Sequence, residues 1–149
     1  MKPLFKKVCI ASDHAGYKLK ETIKNFLISK KISIIDLGPN NDNSVDYPDF
    51  AEAVAKSVAS DEAEFGLLVC GSGIGVCMVA NKISGIRAAT IHDVTSAHLS
   101  REHNDANIIC LGERLIGPEV AKEALDVFLA SEFQEGRHLN RVKKIDKIL

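Results

Sequence analysis

The chain has 149 residues, 46% of them hydrophobic and 26% charged, a composition that supports one apolar core and one domain and excludes a disordered chain. Nineteen basic and twenty acidic side chains leave a formal charge of −1, so no global field attracts a polyanion and no nucleic-acid partner is expected. The four cysteines, Cys9, Cys70, Cys77 and Cys110, form no C-x-x-C pair. Free thiols point to a reducing cytoplasm, and Val8 to Ser12 after the basic start is too short for a signal core or a membrane span.

Val8 to Ala11 reads as the first strand, and it ends on Ser12-Asp13-His14-Ala15-Gly16, which sets a carboxylate and an imidazole side by side. Asp13 can cap the following helix or face a crevice; its polar neighbours favour the second role. Lys18 to Ser29 then places Leu19, Ile23, Phe26 and Leu27 on one helical face. Ile32 to Leu37 is the second strand, and Gly38-Pro39-Asn40-Asn41-Asp42-Asn43-Ser44 a polar, mobile loop. Pro48 falls where a first helical turn begins, with Asp49 beside it and Ala51, Val54, Ala55 and Val58 on one face.

Gly66 to Val69 is the third strand, Ala88 to Ile91 the fourth, the span Asp93 to Glu102 a helix, and Asn107 to Leu111 the fifth strand. Pro118 and Glu119 open another helix, and Arg137 to Leu149 a last one with Leu139, Val142, Ile145, Ile148 and Leu149 at helical spacing, a segment able to pack across a subunit interface. Short strands alternating with amphipathic helices predict an α/β fold with a mostly parallel sheet and helices on both faces, whose strand ends carry the function.

The most informative turn is Val69-Cys70-Gly71-Ser72-Gly73-Ile74-Gly75. Three alternating glycines let the backbone turn sharply and aim N–H groups at one point, which makes an anion-binding loop. Cys70 stands at the strand end before a helix N-terminus, the setting that favours a reactive thiolate over a buried, inert thiol. Cys9, Cys77 and Cys110 read as small buried hydrophobes. A dinucleotide site is a rival, with Asp93 about 20 residues beyond Gly73 as the ribose-binding acid. It fails on Val76, which stands where that fingerprint needs its third glycine, and on its usual place after the first strand.

His103-Asn104-Asp105 follows the fourth helix, and His103 can exchange protons near neutral pH, whereas His92 and His98 read as surface or packing residues. Arg114 after the fifth strand and the cluster Arg137-His138-Leu139-Asn140-Arg141 add cationic groups. Arg137 and Arg141, one helical turn apart, can clamp a phosphate dianion.

With these residues the chain closely resembles the ribose-5-phosphate isomerase B family, whose wider group includes galactose-6-phosphate isomerase subunits. The resemblance runs nearly end to end. Its most specific parts are Ser12 to Gly16, Asp46-Tyr47-Pro48, Cys70 to Gly75, Ala80-Asn81-Lys82, Gly85-Ile86-Arg87-Ala88, Arg101 to Asn107 and Gly136-Arg137-His138. It implies a Rossmann-like three-layer α/β/α sandwich with a five-stranded, mostly parallel sheet and a C-terminal helix. It also implies a homodimer with active sites built from two chains, or a tetramer, and an isomerisation that needs no metal or cofactor.

By the same resemblance, Cys70 is the base that moves a proton from C2 to C1 of an opened sugar phosphate through an enediolate. A second branch of the family uses a glutamate at the position of Val76. The N–H groups of Gly71 through Gly75 would hold the oxyanion, and Ser72 keeps the hydroxyl of a threonine seen in many relatives. His103 would assist ring opening, with Asp13, Tyr47 and Asn104 orienting sugar hydroxyls. His14, Arg114, Arg137, His138 and Arg141 would bind the phosphate. The substrate expected is D-ribose 5-phosphate, with D-ribulose 5-phosphate as product. The alternatives are a six-carbon sugar phosphate, galactose 6-phosphate or allose 6-phosphate, and a non-enzymatic sugar-phosphate sensor on the same fold.

Overall fold

The apolar runs become strands and the 3.6-residue patterns become helices in the computed structural model, which describes residues 1–148. In chain order they are β1 (Lys7–Ser12), α1 (Tyr17–Ser29), β2 (Ser33–Asp36), α2 (Tyr47–Ala59), β3 (Phe65–Cys70) and α3 (Ile74–Ala80). There follow β4 (Ala88–Thr90), α4 (Val94–Glu102), β5 (Ile108–Gly112), α5 (Pro118–Ala130) and α6 (Gly136–Asp146). Pro118 is the first residue of α5, and Pro48 sits in the first turn of α2, where a missing N–H costs nothing.

All five strands pair in parallel, in the order β2-β1-β3-β5-β4. Side chains of a strand alternate between faces, and the two faces carry separate cores. Val8, Ile10, Leu67, Val69, Ile109 and Leu111 pack with Leu19, Ile23 and Leu27 of α1, Ala97 of α4 and Leu125 and Phe128 of α5. Cys9, Ala11, Leu68, Cys70, Ile108 and Cys110 pack with Ala51, Val54 and Val58 of α2 and Val76 and Ala80 of α3. The helices lie on both faces, so the sandwich has the three layers expected. β3, covered on both sides, is buried along its whole length, which is why it reads as an unbroken apolar run.

Two connections leave β1 and β3 in opposite directions, because β1 is followed by its neighbour β2 on one side and β3 by the distant β4 on the other. The carboxyl ends of β1 and β3 therefore flank a topological switch point, where open α/β sheets bind ligands.

Three sequence expectations change. The Gly38 to Ser44 loop is anchored: Asp36 accepts the Gly38 N–H at 2.9 Å, Lys20 Nζ donates to the Pro39 carbonyl at 2.9 Å and Tyr17 to that of Asn40 at 3.1 Å. Cys77 is only half-buried and is not an inert hydrophobe; hydrogen bonding to Cys110 first, and then to Thr90 and Asn81 against opposing desolvation, lowers its pKa to about 6. The last helix ends at Asp146, short of the Arg137 to Leu149 span expected, with Asp146 accepting from Arg87 at 2.8 Å; Leu149 lies outside the described residues. Among those residues no helix is long and apolar enough to cross a membrane.

Candidate active site

Asp13 and His14 leave the end of β1, Cys70 ends β3, and Arg114 follows β5, so three adjacent parallel strands deliver them to one edge. They line a cleft of about 560 Å³ together with Tyr47, Gly71, Ser72, Ile74, Gly75, Met78 and Leu115. Every residue of the predicted Cys70 loop except Gly73 is on that wall, and Gly73 supports the loop from beneath. Its φ of +74° makes it the left-handed N-cap of α3, a conformation that strains any side chain.

The loop N–H groups divide in two. The Gly73 N–H donates to Cys70 Sγ at 3.1 Å and that of Ile74 to Ser72 Oγ at 3.2 Å. Those of Gly71, Ser72 and Gly75 have no partner among the described residues. Of the five loop N–H groups expected to face an oxyanion, three are therefore unpartnered among the described residues. Cross-links hold the loop rigid: Glu113 and Arg114 donate their backbone N–H groups to the Cys70 and Gly71 carbonyls, each at 3.0 Å, and Thr90 Oγ1 donates to that of Gly73 at 2.9 Å. Free N–H groups on a fixed turn cost no reorganisation when charge develops beside them.

Asp13 lines the cleft and braces the turn before α1 without capping the helix, whose N-cap Gly16 has no side-chain cap bond. Its Oδ1 accepts the N–H of Gly16 at 2.9 Å. His14 Nδ1 accepts the Val45 N–H at 3.2 Å, so the neutral ring carries its proton on Nε2. The Arg114 guanidinium lies on Gly71, where an added Cβ would come within 3.2 Å of Nη1. Tyr47 lies on Gly75 in the same way, 2.6 Å from a would-be Cβ. Asp93, the acid of the dinucleotide rival, is the N-cap of α4, its Oδ1 accepting the Ser96 N–H at 2.6 Å.

The other predicted residues assemble elsewhere. His103 is the C-cap of α4, and α4 runs back toward the start of β5, so His103 and Asn104 sit at the amino edge of the sheet. There the His103 and His138 rings stack with centroids 4.2 Å apart. Arg137 Nε approaches His138 Nε2 at 3.5 Å, and Arg141 follows one turn along α6. Desolvation first, and then His103, Arg137 and Arg141, lower the pKa of His138 below its ordinary 6.5. Arg87 and Arg101 brace this group. Arg87 donates to the Asn104 and Asp105 carbonyls at 3.1 Å, and Arg101 to Asp105 Oδ1 at 2.8 Å and the Ala106 carbonyl at 2.7 Å. Neither arginine was singled out as a support from sequence, although both fall inside the motifs.

The candidate residues therefore form two groups on opposite edges of the sheet. β3 has six residues, so its ends are about 16 Å apart at ~3.3 Å per residue. That is well beyond the ~3 Å reach of a catalytic hydrogen bond.

A sequence model described as Ribose/Galactose Isomerase matches residues 8–145. Escherichia coli ribose-5-phosphate isomerase B is 41% identical over 143 residues, covering 96% of each chain. The Clostridium thermocellum ribose-5-phosphate isomerase B structure superposes with a TM-score of 0.94 at 48% identity, covering 95% of this chain and 96% of that one. The Mycoplasma genitalium ribose-5-phosphate isomerase B, solved with bound ribulose 5-phosphate, gives 0.91 at 42%, covering 95% of each. By the extent of these matches, over a cleft that unites the Cys70 loop with Asp13, His14 and Arg114, the chain belongs to the ribose/galactose isomerase family.

Proposed function

We propose that the chain is an aldose–ketose isomerase that interconverts D-ribose 5-phosphate and D-ribulose 5-phosphate, acting as one domain and as a homodimer. The observation that carries this reading is Cys70 on the same fixed turn as three unpartnered N–H groups, in a cleft that also holds His14 and Arg114. The relatives named for this reaction, one of them holding its product, favour the five-carbon substrate.

Cys70 takes the C2 proton of the opened sugar, and the electron pair moves through C1 onto the C1 oxygen, giving an enediolate. The N–H groups of Gly71, Ser72 and Gly75 bind that oxygen. The same proton returns to C1 from Cys70, the hydroxyl proton on O2 passes to O1 with Ser72 as relay, and the ketose results. Asp13 and Tyr47 orient the hydroxyls. His14 and Arg114 take the phosphate from one side, and Arg137, His138 and Arg141 from the other.

Those last three, with His103 and Asn104, act on the cleft of a second copy. Ile74, Met78 and Leu115 are exposed by 48%, 65% and 56% around the cleft mouth, apolar surface that a partner would cover. Cys70→Ala tests the mechanism: ribose 5-phosphate turnover and exchange of the C2 proton with solvent should both fall at least a hundredfold. Near-normal turnover removes Cys70 as base. Phosphate binding by the wild type without any C2 exchange would favour the sensor, and a higher kcat/KM on allose or galactose 6-phosphate would favour the six-carbon reading.

A further inference from the structure

Lys20, on the first turn and a half of α1, has a side chain with no exposed area, the only lysine among the buried polar residues. No step above uses it. Burying an ammonium is costly unless all its protons are bonded. Here Nζ donates to Asp36 Oδ1 at 3.0 Å and to the Pro39 carbonyl at 2.9 Å, and it pairs with the Glu21 carboxylate, whose Oε1 lies 3.1 Å away. Tyr17 covers it, its ring centroid 5.4 Å from Nζ. Replacing such a buried ion group by an apolar one of equal volume is often neutral or stabilising, so stability alone is a weak reason for its presence.

Its geometry supplies a better one. Lys20 ties α1 to the end of β2 and to the chain that runs from β2 to α2. The Gly38 carbonyl of that chain accepts the Ser12 N–H at 3.0 Å, and Tyr17 bonds Asn40. The chain then turns at Asn41, whose Oδ1 accepts the Asn43 N–H at 3.0 Å, and reaches Val45, whose N–H fixes Nδ1 of His14 at 3.2 Å. Two residues later it delivers Tyr47 to the cleft. His14 itself is exposed, and no hydrogen bond other than Val45's holds its ring among the described residues.

We propose that Lys20 is a positioning residue: through the Pro39 to Val45 segment it holds the Val45 N–H on Nδ1 of His14, fixing the tautomer that presents Nε2–H to the substrate phosphate. The inference rests on the isomerase reading for the identity of that phosphate, but not for the state of the ring.

Lys20→Met tests it. For the isomerase we expect KM for ribose 5-phosphate to rise roughly tenfold, the size of one lost hydrogen bond to a charged group, with kcat within about twofold of wild type. In a His14→Asn background the same substitution should change KM by less than about twofold, since it acts through His14. In ¹⁵N spectra of labelled protein, His14 should show a single Nε2–H tautomer in the wild type and both tautomers in Lys20→Met. A wild-type tautomer retained in the variant, or a KM effect that is fully additive with His14→Asn, overturns the proposal. A change in Tm alone does so too. If Lys20→Met does not fold, Tyr17→Phe, which removes only the bond to Asn40, should give a smaller shift with the same dependence on His14. The NMR outcome holds even if the substrate is another phosphate, so the two readings fail separately.

Discussion

Mixing two inactive variants gives the sharpest test of a site divided between chains. Cys70 ends β3 at the carboxyl edge of the sheet and His103 caps α4 at the amino edge. The six-residue strand between these edges puts them about 16 Å apart, too far for one substrate to meet both within one chain. If each site takes Cys70 from one protomer and His103 from its partner, a dimer of Cys70→Ala with His103→Ala has one doubly broken site and one intact site. Random 1:1 reassortment makes half the dimers mixed, and half of their sites work, so activity should return to about one quarter of wild type. Each parent should be down by about a hundredfold or more, so the recovery stands far above background. The assay is ribose 5-phosphate turnover by protein co-expressed with two affinity tags and purified through both in turn, or refolded from an equimolar mixture; after double-tag purification only mixed dimers remain, and the expected value rises to about one half. Activity no greater than that of the parents, in a preparation shown to be mixed, would refute the division of the site.

Gly75→Ala would put a methyl 2.6 Å from Tyr47 Cζ and 3.0 Å from its hydroxyl. The α3 backbone favours alanine by about 1 kcal/mol, so Tm should hold while kcat/KM falls about tenfold as the ring is displaced; unchanged kinetics would remove Tyr47 from the site. The lowered pKa of His138 means that the folded chain binds fewer protons than the unfolded chain between 6.5 and the lower folded value. Its contribution to stability is therefore full above pH 6.5 and is lost as the pH falls through the folded value. Tm of the wild type should drop more steeply from pH 7 to pH 5 than that of His138→Asn, and parallel curves would contradict the environment described for this ring.

Much of this was legible in the chain, for reasons of local physics. Pro48 and Pro118 mark helix starts because a ring without an N–H is tolerated there, and β3 reads as a buried strand because both its faces are covered. The Cys70 loop was legible because glycines at alternate positions after an apolar strand permit the sharp turn and the left-handed φ that Gly73 adopts. The order β2-β1-β3-β5-β4 was not, since nothing local tells β4 to pass over β5 to the edge. Nor was Lys20: one residue off the apolar stripe of α1, it looks solvated until Asp36, Glu21 and Pro39 close around it. Cys77 was misread because its partners Cys110 and Thr90 are distant in sequence. The opposite-edge position of His103 had a usable signal. In an alternating α/β chain, the end of a helix lies at the amino edge of the next strand, whereas Cys70 ends a strand.

Within the cleft, the proposed base Cys70 has few rivals, although its Sγ, like Asp13 Oδ1, accepts a backbone N–H of its own turn. Asp13 has one oxygen committed to the Gly16 N–H. His14, with Nδ1 occupied by Val45, offers the cleft a donor rather than a base. Val76, where the resemblance places a glutamate in another branch of the family, is fully buried in the same apolar cluster as Cys70 and titrates nothing. In the proposed mechanism the Cys70 sulfur is the base, and its spacing from the N–H groups of Gly71 and Ser72, unpartnered among the described residues, is set by one turn cross-linked to β4 and to the chain after β5. In the proposed dimer that spacing belongs to one chain, while the ring-opening acid His103 belongs to the other. Proton abstraction is thus held to the rigidity of a single loop, and ring opening to the rigidity of an interface. Substitutions across that interface should disturb ring opening and phosphate capture before they disturb the transfer from C2 to C1.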